Sequence, residues 1–356
     1  VEEDFYVDDG LASEPTEEKA ISLVQEAVTI CAEGGLRLHK FASNSRAVME
    51  AIPASERAPN MQTLDLSFDE LPIERTLGML WSVESDSIQF SFSPADRPPT
   101  RRNILAIVAS LYDPFGLIAP FVLTGKSILQ EICHKGVKWD DPVPAELLPK
   151  WVAWKADLKK LKQLVIPRCY YPTDFGHIVK IQLHHFSDAS FKGYGMCSYL
   201  RFENDQGAVH CSLVAAKARV APRKVVSIPR LELTAALVAA EIGSTIKHEL
   251  RYKIDEEFFW TDSQVVLGYI NNEARKFHVF VANRVQKIKE LTESSQWHYV
   301  ATDANPADYA LRGLNATELL HSKWFSGPDF LWQRELQLPA NASPELNPKD
   351  PEIRVV

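Results

Sequence analysis

The stretch from Ile178 to Ser190, IVKIQLHHFSDAS, decides how the rest of the chain is read. It reads as a strand, and Asp188 interrupts it near its end. A carboxylate in an apolar strand is costly to desolvate unless something cationic satisfies it. Two further strands follow, GYGMCSYLRF (193–202) and AVHCSLVAAKA (208–218). Next come a long helix, PRLELTAALVAAEIGSTIKHEL (229–250), a strand, EEFFWTD (256–262), and a helix, SQVVLGYINN (263–272). The helix FHVFVANRVQKIKELTE (277–293), the strand QWHYVAT (296–302) and the short helix NPADYALRG (305–313) complete the pattern. Three meander strands followed by alternating helix and strand predict a mixed sheet with helices packed on it.

Upstream the pattern is more broken. FYVDDG (5–10) reads as strand, tight turn, strand, because Asp-Gly favours a hairpin. A helix is expected from Pro15 and Thr16 to about Ala32, stopped by Gly34-Gly35, and LRLHKFASN (36–44) alternates as a strand. RTLGMLWSVESDSIQFSF (75–92) predicts a hairpin with Gly78 inside its first strand. Helices on either side of Asp113-Pro-Phe-Gly and a Trp-rich helix from Pro149 are expected next. The segment after Gly313 is expected to pack loosely or stay disordered.

The 356 residues exceed one ordinary domain, and the missing initiator Met suggests a piece of a longer chain. No signal peptide or membrane-spanning run is apparent, so a cytoplasmic or nuclear setting is expected rather than secretion. Five scattered cysteines include no C-x-x-C, which argues against a zinc knuckle or a disulfide framework. The net charge of −8 argues against a bulk nucleic-acid coat but leaves room for a local basic groove.

Acidic residues then form a series: Asp188 in the first strand, Glu232 in the first turn of the long helix, Asp262 at the end of the fourth strand, and Asp308 in the last helix. Taken singly, Glu232 is an acid favoured by the helix dipole, Asp262 an N-cap before Ser263, and Asp308 one more first-turn acid. Gathered at one end of a sheet, the acids would repel one another without metal. Two hard divalent cations with oxygen ligands would resolve that and suit in-line displacement at phosphorus.

The order strand-Asp, helix-Glu, strand-end-Asp, helix-Asp resembles ribonuclease H. FSDAS (186–190), AAKARVAPRKVVSIPRLELTAAL (215–237), FWTDSQVVLGYI (259–270) and NPADYALRG resemble the ribonuclease H of BEL/Pao-type retrotransposon polyproteins. So does the helical RRNILAIVASLYDPFGLIAPFVLTGKSILQEI (101–132). The resemblance runs from Asp4 to about Trp332. It implies an α/β multidomain chain: the C-terminal part of a reverse transcriptase palm (1–95), a helical thumb and connection (96–178), a ribonuclease H-like five-stranded sheet with flanking helices (179–315), and a tail (316–356). The implied reaction is magnesium-dependent hydrolysis of the RNA strand of RNA–DNA hybrids by two ions, with manganese as a substitute. By the same resemblance Asp188 bridges both ions, Glu232 and Asp262 hold the one on the leaving-group side, and Asp308 supports the other. Asp8 and Asp9 resemble the polymerase hairpin, whose partner acid lies in the upstream fingers and palm of the polyprotein. Lys217, Arg219, Arg223, Lys224 and Arg230 lead into the Glu232 helix and are the candidates for gripping the nucleic-acid backbone. His298 is expected to be a strand histidine without a catalytic role.

Two other readings compete. A catalytically silent nucleic-acid-binding fragment would carry the same motifs. An aspartic peptidase needs an Asp-Thr/Ser-Gly turn, and no such triplet occurs. No oligomeric state follows from the sequence, and no membrane partner is expected.

Overall fold

The computed structural model describes residues 4–6, 9–76, 79–92, 96–274, 276–339 and 346–354. It divides into two compact units, Val1–Ser91 with Lys162–Cys169, and Phe92–Leu161 with Tyr170–Val356.

In the first unit β1 (Phe5–Tyr6) and β2 (Asp9–Gly10) pair antiparallel, with Tyr6 opposite Asp9. Asp8 lies outside the described residues. Helix α1 (Glu17–Glu33) starts where the Thr16 hydroxyl accepts the Lys19 N–H, and Ile21 and Val24 lean on a core around Met49 and Met61. Helix α2 (Arg46–Ala51) contributes Val48 and Met49 to that core. Residues 36–44 do not form the expected strand: Lys40 takes φ +63°, which ends any extended run, and Phe41 makes only an isolated bridge to Arg57.

A four-stranded antiparallel sheet completes the unit: β3 (Ile73–Thr76), β4 (Met79–Ser82), β5 (Ser87–Gln89) and β6 (Val165–Pro167). The hairpin expected over 75–92 is β4–β5, while Arg75 and Thr76, placed in its first strand, belong to the separate strand β3. Gly78 itself lies outside the described residues. At the turn, Asp86 accepts from Trp81 Nε1 at 2.9 Å and from both arms of Arg168 at 2.6 and 2.9 Å.

In the second unit α3 (Arg101–Ala109) and α4 (Ala119–His134) flank the Asp113-Pro-Phe-Gly break. The half-buried Asp113 carboxylate accepts the N–H groups of Leu117 and Ile118 at 2.8 and 2.9 Å, which orders the turn that leads into α4. Helix α5 (Leu148–Asp157) stacks Trp154 on Phe121, over Gly125, where a Cβ would lie 2.5 Å from the indole.

The large sheet has the order β11-β10-β7-β8-β9. Strands β7 (Ile178–Ala189), β8 (Gly193–Asn204) and β9 (Val209–Val220) are antiparallel neighbours. Strands β10 (Glu256–Thr261) and β11 (Trp297–Tyr299) run parallel to β7 and to each other, respectively. This is the mixed five-stranded α/β architecture expected from the sequence. Helix α6 (Ile228–Glu249) covers one face, where Gly243 leaves room for His185, with α7 (Gln264–Asn271) and α8 (Val279–Leu291) around the same core. The other face meets α4, α9 (Ala307–Arg312) and the residues after α10 (Ala316–His321).

From Leu314 to Arg334 the segment after Gly313 is packed rather than loose. Strand alternation puts His184, Phe186, Tyr199 and Trp260 on that second face, and so much apolar area needs cover. Trp324 and Leu331 are fully buried, and Phe330 meets Phe186 and Trp260 edge-on. Arg201, also buried, donates to the carbonyls of Leu331, Gln333 and Arg334 at 2.8, 2.7 and 3.2 Å. The helical stretch and this tail also close the sheet edge: Ala216 N–H donates to Phe115 O at 2.7 Å and Leu213 N–H to Phe325 O at 3.0 Å. No helix among the described residues is long and apolar enough to cross a membrane.

Candidate active site

The sheet brings all four predicted acids into one electrostatic neighbourhood, at the C-terminal ends of β7 and β10. Asp188 is the next-to-last residue of β7, 6% exposed, and its carboxylate accepts the N–H of Ala189 at 2.6 Å. Burial pushes its carboxyl up to about 8, and the charges of Asp262, Asp308 and Glu232 push the same way.

Glu232 reaches the site from α6. The helix begins at Ile228, so Glu232 lies just past the first turn, and its placement is not explained by the helix dipole. Its Oε2 accepts the Ser263 hydroxyl at 2.6 Å. Burial raises its carboxyl, the Ser263 bond opposes this, and Asp262 adds to the rise. Asp262 follows β10 directly, and the N-cap of α7 is Ser263 rather than Asp262. One Asp262 oxygen accepts the Thr302 hydroxyl at 2.8 Å, while Oδ1 is buried without a hydrogen-bond partner. Asp308, in the first turn of α9, pairs with Arg312 one turn on at 2.7 Å. Burial raises its carboxyl against the pull of Arg312, and Asp262 reinforces the rise.

Two residues outside the predicted set position these acids. The buried Asn305 donates to Ser187 O at 3.1 Å and accepts the Ala307 N–H at 3.1 Å, tying the start of α9 to the strand carrying Asp188. Gly195 lies opposite Asp188 on β8; a Cβ there would lie 3.1 Å from Ala310 Cβ and 2.7 Å from Lys217 O, so glycine lets α9 settle onto the sheet. A short polar side chain before a proline, and a glycine inside a strand, were the available signals.

Each acid is turned toward a protein donor, and among the described residues no three His, Cys, Asp or Glu side chains form a ready metal cluster. The donor set still fits a hard cation. It is all oxygen, one buried carboxylate oxygen has no partner, and the neighbouring Asp188 is driven toward its neutral form by burial and then by like charge.

The predicted grip residues separate. Lys217 and Arg219 lie on β9, Arg223 and Lys224 in the loop before α6, and all four are exposed without an ion pair among the described residues. Arg230, in α6, is engaged by Glu352 at 2.6 Å. His298 lies in β11, buried beside Trp260 and Phe258.

Residues 100–263 match the family model described as the Pao retrotransposon-like RNaseH-like domain. The match to this domain includes Asp188, Glu232 and Asp262 and also the helices α3 to α5 packed in the same unit; Asp308 lies beyond it. No curated protein matches the chain. Among solved structures, the chain is similar to the RNase H1 of the halophilic archaeon Halobacterium salinarum, at 15% identity over 40% of this chain and 98% of that one, with a TM-score of 0.26. The N-terminal RNase H domain of rv2228c from Mycobacterium tuberculosis is similar at 12% identity, over 38% and 91%, with a TM-score of 0.26. LC11-RNase H1, in complex with an RNA/DNA hybrid, is similar at 11% identity, over 39% and 99%, with a TM-score of 0.25.

Proposed function

We propose that this domain hydrolyses the RNA strand of RNA–DNA hybrids with divalent metal, magnesium or manganese, held by Asp188, Glu232, Asp262 and Asp308. The observation that carries the reading is the gathering of these acids from four elements, with Asp188 pushed to about 8. A buried acid cluster is unfavourable unless cations offset it, and such strain is kept where it serves chemistry. When bound, two divalent ions would make a strong nucleophile of water and steady the leaving oxygen of the phosphodiester. Ser263 and Thr302 orient Glu232 and Asp262, and Asn305 fixes the approach of Asp308. The exposed Lys217, Arg219, Arg223 and Lys224 supply phosphate contacts whose strength falls with salt.

The same proposal includes the domain division at 95/96, 178/179 and 315/316, and a polymerase origin for the Asp8–Asp9 hairpin, completed by the upstream palm. The experiment is cleavage of a labelled RNA–DNA hybrid by the purified chain in magnesium, with Asp262→Asn as control. RNA-strand cutting that disappears in the variant and on chelation supports it. A folded chain that binds hybrid without cutting it overturns the catalytic part.

A further inference from the structure

We propose that the C-terminal segment 347–354 occupies a phosphate-binding site built by Arg230, with the Glu352 carboxylate standing in for phosphate, and that a hybrid must displace it. This rests on the nuclease reading above. Arg230 lies two residues before Glu232 on α6. Its guanidinium makes two bonds to Glu352, Nε to Oε1 at 2.6 Å and Nη2 to Oε2 at 3.0 Å. That fork is the geometry guanidinium uses for phosphate as well as carboxylate.

The site is more cationic than one ion pair requires. Arg230 and Arg284 both lie over the Phe280 ring, at 4.9 and 3.5 Å from its centroid. Arg284 has no ion pair among the described residues, and its Nε is buried without a hydrogen-bond partner. Two guanidinium groups on one ring favour an anion with more charge and more acceptor oxygens than a single carboxylate. The four exposed cations from Lys217 to Lys224 lead along the chain to this point, so Arg230 is the one member of the basic run already occupied.

The segment is held by few contacts. Of residues 347–354 only Glu352 is buried. The backbone makes one isolated bridge, Phe277 to Ile353, with His278 N–H donating to Glu352 O at 2.9 Å and Arg354 N–H to Lys276 O at 2.8 Å. Asp350 accepts the Tyr269 hydroxyl at 3.0 Å. A segment fixed mainly by polar surface contacts opens at low cost. Its docking lowers the fraction of molecules with a free Arg230, and apparent hybrid affinity falls by that fraction.

The test uses the full chain in chelator, so that binding is read without cleavage, with a fluorescent RNA–DNA hybrid as probe. Glu352→Gln keeps the shape of the side chain and removes its charge, and should bind the hybrid about tenfold tighter than the unmodified chain. In the unmodified chain, hybrid should speed amide exchange at residues 352–354. In an Arg230→Gln background the effect of Glu352→Gln should vanish, because no guanidinium remains to be released. Equal binding by the Glu352→Gln variant and the unmodified chain, with residues 352–354 still protected in the complex, overturns this inference alone. Binding by neither overturns it together with the nuclease reading.

Discussion

The Ser263 hydroxyl donates to Glu232 at 2.6 Å and accepts the Val266 N–H at 3.2 Å, so one oxygen caps α7 and aims an acid on α6. Ser263→Ala should therefore act twice. Loss of the cap should cost about 1 kcal/mol in urea unfolding. Hybrid cleavage should fall as well, because Glu232 loses the donor that orients it, while hybrid affinity in chelator should hold. A variant with unchanged cleavage would remove Ser263 from the positioning set.

Asp188→Asn should stabilise the chain in the absence of divalent ions. The amide oxygen still accepts from Ala189, and the amide escapes the cost that burial and the neighbouring acids impose on the ionisation of Asp188. A gain of about 1–2 kcal/mol is expected, the usual sign of a site whose acids are kept for function. Magnesium should raise the thermal midpoint of the natural chain more than that of the variant. Destabilisation by Asp188→Asn in chelator would sink the idea that the acids repel.

Two contributions to stability, from His185 and then Glu257, should be lost on acidification, against the gain as Asp188 takes up its proton below about 8. His185 is buried, with Nδ1 2.7 Å from Ser198 Oγ and Nε2 3.3 Å from Glu257. Burial holds its imidazole below the ordinary value, against the pull of Glu257. The unfolded chain thus takes up that proton first, and stability drops as pH falls below about 6.5. Burial pushes Glu257 up, but its bonds and charges with His185 and Lys247 prevail and hold it at about 2. Its contribution is complete above 4.5 and is lost as pH falls toward 2. Urea midpoints measured across this range in an Asp188→Asn background, which removes the opposing titration, should show both losses, and Glu257→Gln should erase the lower one.

Arg201→Met should be severe. It fills similar space but strips donors from the Leu331, Gln333 and Arg334 carbonyls and from Gln182 Oε1 at 2.7 Å. A loss of about 3 kcal/mol is expected, with early proteolytic cutting between Trp324 and Arg334. An unchanged digestion pattern would mean that the apolar anchors hold the tail unaided.

The strands and helices of the second unit were legible because each is a local pattern: apolar runs for β7 to β10, and long helical periods for α6 and α8. The acids were legible by the kind of element each occupies. What escaped was non-local. Trp324 and Leu331 are isolated anchors without periodicity, so the segment holding them read as loose. Arg201 sits among apolar neighbours in β8 and carries no sign that its partners lie more than a hundred positions later. Arg230 and Glu352 are separated in the same way. Residues 36–44 alternate convincingly, and only the left-handed backbone at Lys40 shows why no strand forms.

Phe115 and Phe325 each lend a carbonyl to β9, which would otherwise be the bare margin of the large sheet. The large sheet therefore cannot be excised cleanly at its first strand. A shortened chain starting at Ile178 and ending at Gly313 would keep all four acids, yet it would present a long row of unmatched amides and carbonyls to other molecules. Such a protein should self-associate strand to strand on purification, and its insolubility would reflect an uncovered border rather than a defective fold.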